Sequence, residues 1–140
     1  MKSLAWDFKQ PNRSAVEAIA AAGGIEPLVA QVVALLRDGD VEGKASAAGV
    51  LAKLADGNAA NQQAIRAGGA IVPLVALVRD GFVVGKAYAA YALATLADGN
   101  AANQAAIRAA GGIQPLVALV RDDDVAGKTN AAAALQNFPN

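Results

Sequence analysis

The chain has 140 residues, 55% of them hydrophobic but only 4% aromatic, with twelve basic and twelve acidic residues and no formal net charge. Zero net charge without a basic cluster argues against a phosphate-backbone footprint and so against nucleic acid as a partner. With neither Cys nor His, a disulfide framework and any thiolate or imidazole metal site are excluded, and the commonest general base is missing.

Residues 1–11 open the chain with Leu4, Trp6 and Phe8 and no uninterrupted apolar run, so no signal peptide is read there. No stretch of about 18 residues lacks Gly, Pro and charge, so no membrane span is expected. The default expectation is an intracellular, cytoplasmic or nuclear protein. From Asn12 onward the chain repeats itself. Ala-Asp-Gly-Asn-Ala-Ala-Asn-Gln occupies 55–62 and recurs at 97–104, 42 residues later. Arg37-Asp38, Arg79-Asp80 and Arg121-Asp122 keep that interval, and so do Gly43-Lys44, Gly85-Lys86 and Gly127-Lys128. A Gly-Gly pair and a Pro-Leu-Val follow in each unit, at Gly23 and Pro27, Gly68 and Pro73, Gly111 and Pro115. A single domain of three repeats results: 12–56, 57–98 and 99–140.

The first repeat starts at Asn12, and Pro27 enters its second helix. That helix has four more residues before Arg37 than its counterparts, about 6 Å of extra length. The extension is either neutral or a lip that meets a partner. The second repeat has the plainest punctuation. Asn58 suits the N-cap of a short helix, Ala59–Ala67, which Gly68 and Gly69 end. Pro73 belongs in the first turn of a second helix through Leu74, Val75, Leu77 and Val78, and Gly81 stops it. A longer third helix spans roughly Val84–Ala97, with Ala89, Ala90, Leu93, Leu96 and Ala97 at helical spacing. Gly99 and Asn100 begin the third repeat, which finishes at Phe138-Pro139-Asn140.

The run Asn100-x-x-Asn103-x-x-x-Ile107-x-x-Ala110-Gly111-Gly112-Ile113-x-Pro115-Leu116-Val117-x-Leu119 resembles the first two helices of an armadillo repeat. Ala89-Ala90-x-Ala92-Leu93-x-Thr95-Leu96-Ala97 is similar to the third. HEAT repeats usually have two helices per unit and lack the Gly-Gly-Ile-x-Pro run. The resemblance implies an all-α fold: a right-handed superhelical α-solenoid of three-helix armadillo-type repeats whose third helices line a concave groove. It also implies a protein-interaction scaffold that binds an extended peptide or a partner surface.

On that model the groove residues are Ser46, Lys53, Tyr88, Tyr91, Thr95, Asn130 and Asn137, all expected to be accessible. In armadillo proteins of the importin-alpha type, Asn in successive third helices captures peptide backbone, with Trp one turn earlier. Here the Asn place reads Lys53, Thr95 and Asn137, and the Trp place Gly49, Tyr91 and Ala133. Import-signal binding is therefore not carried over. Tyr88 and Tyr91, three residues apart, combine apolar area with a hydroxyl and suit a partner contact.

Phe82-Val83-Val84 stands where the other repeats have Asp40-Val41-Glu42 and Asp124-Val125-Ala126. Losing an Asp cap for a phenyl group points to a buried contact with an adjacent loop, or to a patch for self-association or a partner. The terminal repeats pose a further problem, since each unit buries its apolar face on the next. Residues 1–11 are long enough for a partial cap. At the other end Leu116, Leu119, Ala132 and Leu135 are expected to stay partly uncovered, which implies self-association as a dimer or a longer array.

No catalytic or cofactor motif emerges. The Gly-Gly pairs lack the Lys-Ser/Thr of a phosphate loop, and Asp122-Asp123-Asp124 lacks the spacing of a calcium loop. Ser3, Ser14 and Ser46 have no His to activate them. The expectation is a non-enzyme without cofactor. The competing reading is a minimal or engineered self-assembling repeat module with no natural ligand, suggested by the near-identity of 55–67 and 97–109.

Overall fold

The computed structural model describes residues 24–139, and all of the regular structure there is helical. Eight helices follow in order: α1 Glu26–Asp38, α2 Val41–Ala55, α3 Ala59–Ala67, α4 Ile71–Asp80, α5 Val83–Ala97, α6 Ala101–Ala109, α7 Ile113–Val120 and α8 Val125–Leu135. Three helices make each repeat, of 9, 10 and 15 residues in α3–α5 and of 9, 8 and 11 in α6–α8, while α1 and α2 are the second and third helices of the first repeat. The helix expected from Asn12, and the cap expected from Leu4, Trp6 and Phe8, lie outside the described residues.

Local chemistry explains the boundaries. The side chains of Asn58 and Asn100 accept from the N–H groups of Asn61 and Asn103, each at 2.9 Å, and so satisfy amides that α3 and α6 leave free. At the other end of each short helix the chain reverses through a left-handed residue, Gly69 (φ +85°) and Gly111 (φ +79°). These two stand 42 residues apart although the Gly-Gly pairs themselves are shifted by one. Gly68 has a different role. A Cβ there would lie 2.6 Å from Cγ1 of Val29, so its absence lets α1 approach the α3–α4 turn.

The four extra residues lengthen the second helix of repeat 1. α1 has 13 residues against 10 in α4 and 8 in α7. α5 forms the centre of the stack, packed between α2 and α8 and against α4. It is apolar nearly all round, as a helix with neighbours on most sides must be. Ala89, Ala90, Ala92 and Ala97 carry the close approaches, and Leu93 and Leu96 are fully buried. Equivalent positions in successive repeats make the same core: Ile65 and Ile107, Leu74 and Leu116, Leu51 and Leu93. Each is worth about 1.5–3 kcal/mol of burial.

A polar clamp joins the second and third repeats. Asn103 is fully buried and donates from Nδ2 to the carbonyls of Leu96 (2.8 Å) and Gln62 (3.3 Å), while its Oδ1 accepts from Arg66 (3.0 Å). Gln62 donates to the Thr95 carbonyl at 2.9 Å and accepts from Asn100 at 3.0 Å. In the third repeat Gln104, the counterpart of Gln62, turns back to the Ala97 carbonyl at 2.9 Å.

The last repeat corrects an expectation. Leu116 is fully buried and Leu119 nearly so, while Leu135 is half-buried. The first two face inward between α7 and its own neighbours, and the chain end covers part of the rest. Phe138 packs on the core at the place held by Leu54 and Leu96 in the earlier repeats. Arg108 lies over its ring, 5.5 Å from the centroid, and donates to the Pro139 carbonyl. Leu116 and Leu119 are therefore not an exposed self-association face.

Candidate binding groove

α2, α5 and α8 lie side by side, so residues 42 apart form rows across them: Ser46, Tyr88 and Asn130; Gly49, Tyr91 and Ala133; Lys53, Thr95 and Asn137. Ser46 and Lys53 are exposed, and Tyr88 and Tyr91 retain 45% and 36% of their surface. The middle row explains how Tyr88 is held. Its ring leans toward α2 over Gly49, where even an added Cβ would meet it at an ordinary 3.5 Å. On its other side a cleft of about 340 Å³ opens between α5 and α8. Val83, Val84, Ala87, Tyr88 and Tyr91 wall it from α5, and Asp124, Ala126 and Asn130 from α8.

The lowest row departs from expectation. Thr95 is buried, not accessible: its hydroxyl donates to the Ala92 carbonyl at 2.9 Å, the back-bond common for a helical Thr. Asn137 is half-buried and lies beyond the end of α8, which stops at Leu135. Its amide donates to the carbonyls of Ala94 (3.1 Å) and Ala133 (3.4 Å). Asn130 likewise donates to the Ala87 carbonyl at 3.0 Å. Both amides thus tie the last repeat to α5, Asn137 with two bonds and Asn130 with one.

Phe82 also departs from expectation. It is 69% exposed and makes no buried loop contact. As the N-cap of α5 it offers no side-chain acceptor, whereas Asp40 and Asp124 each accept from a Gly N–H at 2.7 Å, from Gly43 and Gly127. Val83 and Val84, at 56% and 59% exposure, line the Tyr88–Tyr91 cleft. At sequence level the signal was the i, i+4, i+7 spacing of Val84, Tyr88 and Tyr91, which puts the three on one stripe of α5.

Among the described residues no cluster of three acidic, His or Cys side chains is set to hold a metal ion. No described helix is long and apolar enough to cross a membrane.

The armadillo/beta-catenin-like repeat family model matches residues 100–138. Solved structures resemble much more of the chain. One designed armadillo repeat protein is 29% identical over 91% of this chain and 52% of its own, with a TM-score of 0.78. Another, in complex with the peptide (KR)4, is 30% identical over 90% and 51%, with a TM-score of 0.77. A computationally designed armadillo repeat protein for modular peptide recognition is 32% identical over 90% and 51%, also at 0.77. The chain spans about half the length of these designed proteins. No curated protein sequence matches it.

Proposed function

This chain is an armadillo-repeat protein, and we propose that it is a binding scaffold that holds an extended peptide or partner loop across α2, α5 and α8. The armadillo fold is a non-enzymatic scaffold type, and on this reading the chain performs no chemistry. The observation that carries the proposal is the cleft of about 340 Å³ beside two half-exposed tyrosines. Tyr is a favoured anchor because it brings large area with few rotatable bonds and ends in a hydrogen-bonding hydroxyl. The designed relatives solved with a peptide, or made for peptide recognition, support the same use of the fold.

The row of Lys53, Thr95 and Asn137 shapes the proposal. With Thr95 buried and the Asn137 amide engaged, no Asn ladder serves backbone capture, and affinity comes from side chains of the partner that seat against Val84, Tyr88 and Tyr91. Ser46 and Lys53 form the polar rim on the α2 side. Peptides selected by phage display from a random library on the full chain provide the ligand for a test. Titration calorimetry on the tightest of them should show Tyr91→Ala losing about 2 kcal/mol, roughly 30-fold in affinity, with the thermal midpoint preserved. Unchanged affinity would remove the groove assignment.

A second reading is a minimal repeat module, natural or designed, with no natural ligand. The repeated octapeptide at 55–62 and 97–104 and the likeness to designed and engineered proteins favour it. Failure of every selected peptide to bind in the groove would support this alternative.

A further inference from the structure

We infer that the chain carries a second docking site, away from the groove, where the second helices turn into the third helices of repeats 1 and 2. Its occupant is a peptide segment that presents an apolar side chain next to a carboxylate. The inference is independent of the groove reading.

The fold builds the same cleft twice. Gly39, Val41 and Lys44 face Leu77 and Asp80 in the first copy. Their counterparts Gly81, Val83 and Lys86 face Leu119 and Asp122 in the second. The first copy encloses about 570 Å³ and the second about 170 Å³. Only the first falls within the range of roughly 300–1,000 Å³ typical of ligand sites.

Two departures from the repeat account for the difference. Leu36 and Arg37, at the end of α1, line the first cleft, whereas their counterparts Val78 and Arg79 do not line the second. Across from them stands Phe82, in the place that Asp124 holds in the second cleft. Leu36 also serves the core, but Phe82 is costly within the fold itself. Phe82 forfeits the cap bond that Asp40 and Asp124 make at 2.7 Å, and leaves 69% of an aromatic residue in water. A residue that breaks a local rule with no gain in packing points to function.

Charge selects the occupant. The second cleft sets Lys86 against two carboxylates, Asp122 and Asp124. The first has two carboxylates as well, Asp40 and Asp80, but lines them with two cations, Arg37 and Lys44. Asp80 is paired with Arg79 at 3.1 Å, which leaves Asp40, the N-cap of α2, as the one acid set against the two cations. Arg79–Asp80 is the ion pair among the described residues, so neither Arg37 nor Lys44 is neutralised by a described partner. An incoming carboxylate fits the guanidinium fork and the ammonium, while the Phe82 ring and Leu77 receive an apolar neighbour.

The probe is the blocked tetrapeptide Ac-Ala-Phe-Glu-Ala-NH2, titrated into the full chain and followed by amide chemical shifts. Shifts are expected at Gly39, Gly81 and Gly85, with a dissociation constant on the order of 1 mM. The analogue with Gln for Glu should bind roughly fivefold more weakly, the worth of one half-exposed charge pair, and Lys44→Glu should weaken the Glu peptide by a similar factor. Phe82→Asp, which restores the missing cap and so keeps the fold, should abolish the shifts. The inference is overturned by equal affinity for the Gln analogue, by shifts at Ala87 and Asn130 instead, or by silence up to roughly ten times the expected constant.

Discussion

Replacing Phe82 by Asp should stabilise the protein. The backbone at Phe82 has φ −78° and ψ 171°, close to the φ −73° and ψ −174° of Asp40, so an Asp needs no rearrangement to cap α5 as Asp40 caps α2. The new carboxylate would accept from the Gly85 N–H, matching the 2.7 Å bonds to Gly43 and Gly127. It would also place a negative charge at the positive end of the helix dipole. A cap of this kind is worth about 1 kcal/mol, within a range of roughly 0.5–2. Little is lost in exchange, because the ring is already 69% exposed. For a chain of this size 1 kcal/mol raises the thermal midpoint by about 3–5 °C. Circular dichroism melts and urea unfolding of the wild type, Phe82→Asp and Phe82→Ala measure it. Alanine removes the ring without adding an acceptor and should lie at or below the wild type. If Phe82→Asp is no more stable than Phe82→Ala, the missing cap is not what distinguishes α5, and the case for a functional Phe82 loses its energetic footing.

The inter-repeat clamp makes further stability predictions, all measurable by urea unfolding. Asn103→Ala should cost about 2–4 kcal/mol, because it leaves the Leu96 carbonyl and the Arg66 guanidinium without their buried partner. Asn61→Ala should cost less, since the Asn61 amide makes one bond, to the Leu54 carbonyl at 2.8 Å. Arg66→Ala should lose about 1.5–3 kcal/mol for its charge-assisted bond to Asn103. Arg108→Ala, the same change one repeat on, should lose under about 1 kcal/mol, the worth of an exposed cation over the Phe138 ring. Gly49→Ala should gain about 0.5–1 kcal/mol from helix propensity, because the added Cβ meets the Tyr88 ring at an ordinary 3.5 Å. A loss there would show that Tyr88 needs more room than the packing suggests.

The repeat architecture was legible because its signals are local. Asn58 and Asn100 cap, Gly69 and Gly111 reverse the chain, and Pro73 and Pro115 sit in first turns, each effect reaching only a few residues. Ala59–Ala67 was therefore bounded correctly, and α5 to within one residue. What depends on neighbours 40 residues away was less legible. Thr95 occupies a groove row by spacing, but whether it faces water is decided by how tightly α5 nests between α2 and α8. Asn130 and Asn137 have the right chemistry to hold a peptide, yet each donates to a carbonyl of α5, Ala87 and Ala94, which spacing alone did not reveal. Leu116 and Leu119 were expected on an uncovered face, but they are buried within the described residues. The replacement of Asp by Phe82 was visible as an oddity. Its consequence was not, since the cleft that Phe82 lines is walled by Leu36 and Arg37 of a different helix.

The binding role of the groove is tested most directly by amide chemical-shift mapping of the full chain with a library-selected peptide. Val84, Tyr88, Tyr91 and Asn130 should shift together and saturate with one affinity, while the exposed faces of α3 and α6 stay unperturbed. Shifts confined to α3 and α6, or spread evenly over the surface, would contradict a groove on the third helices.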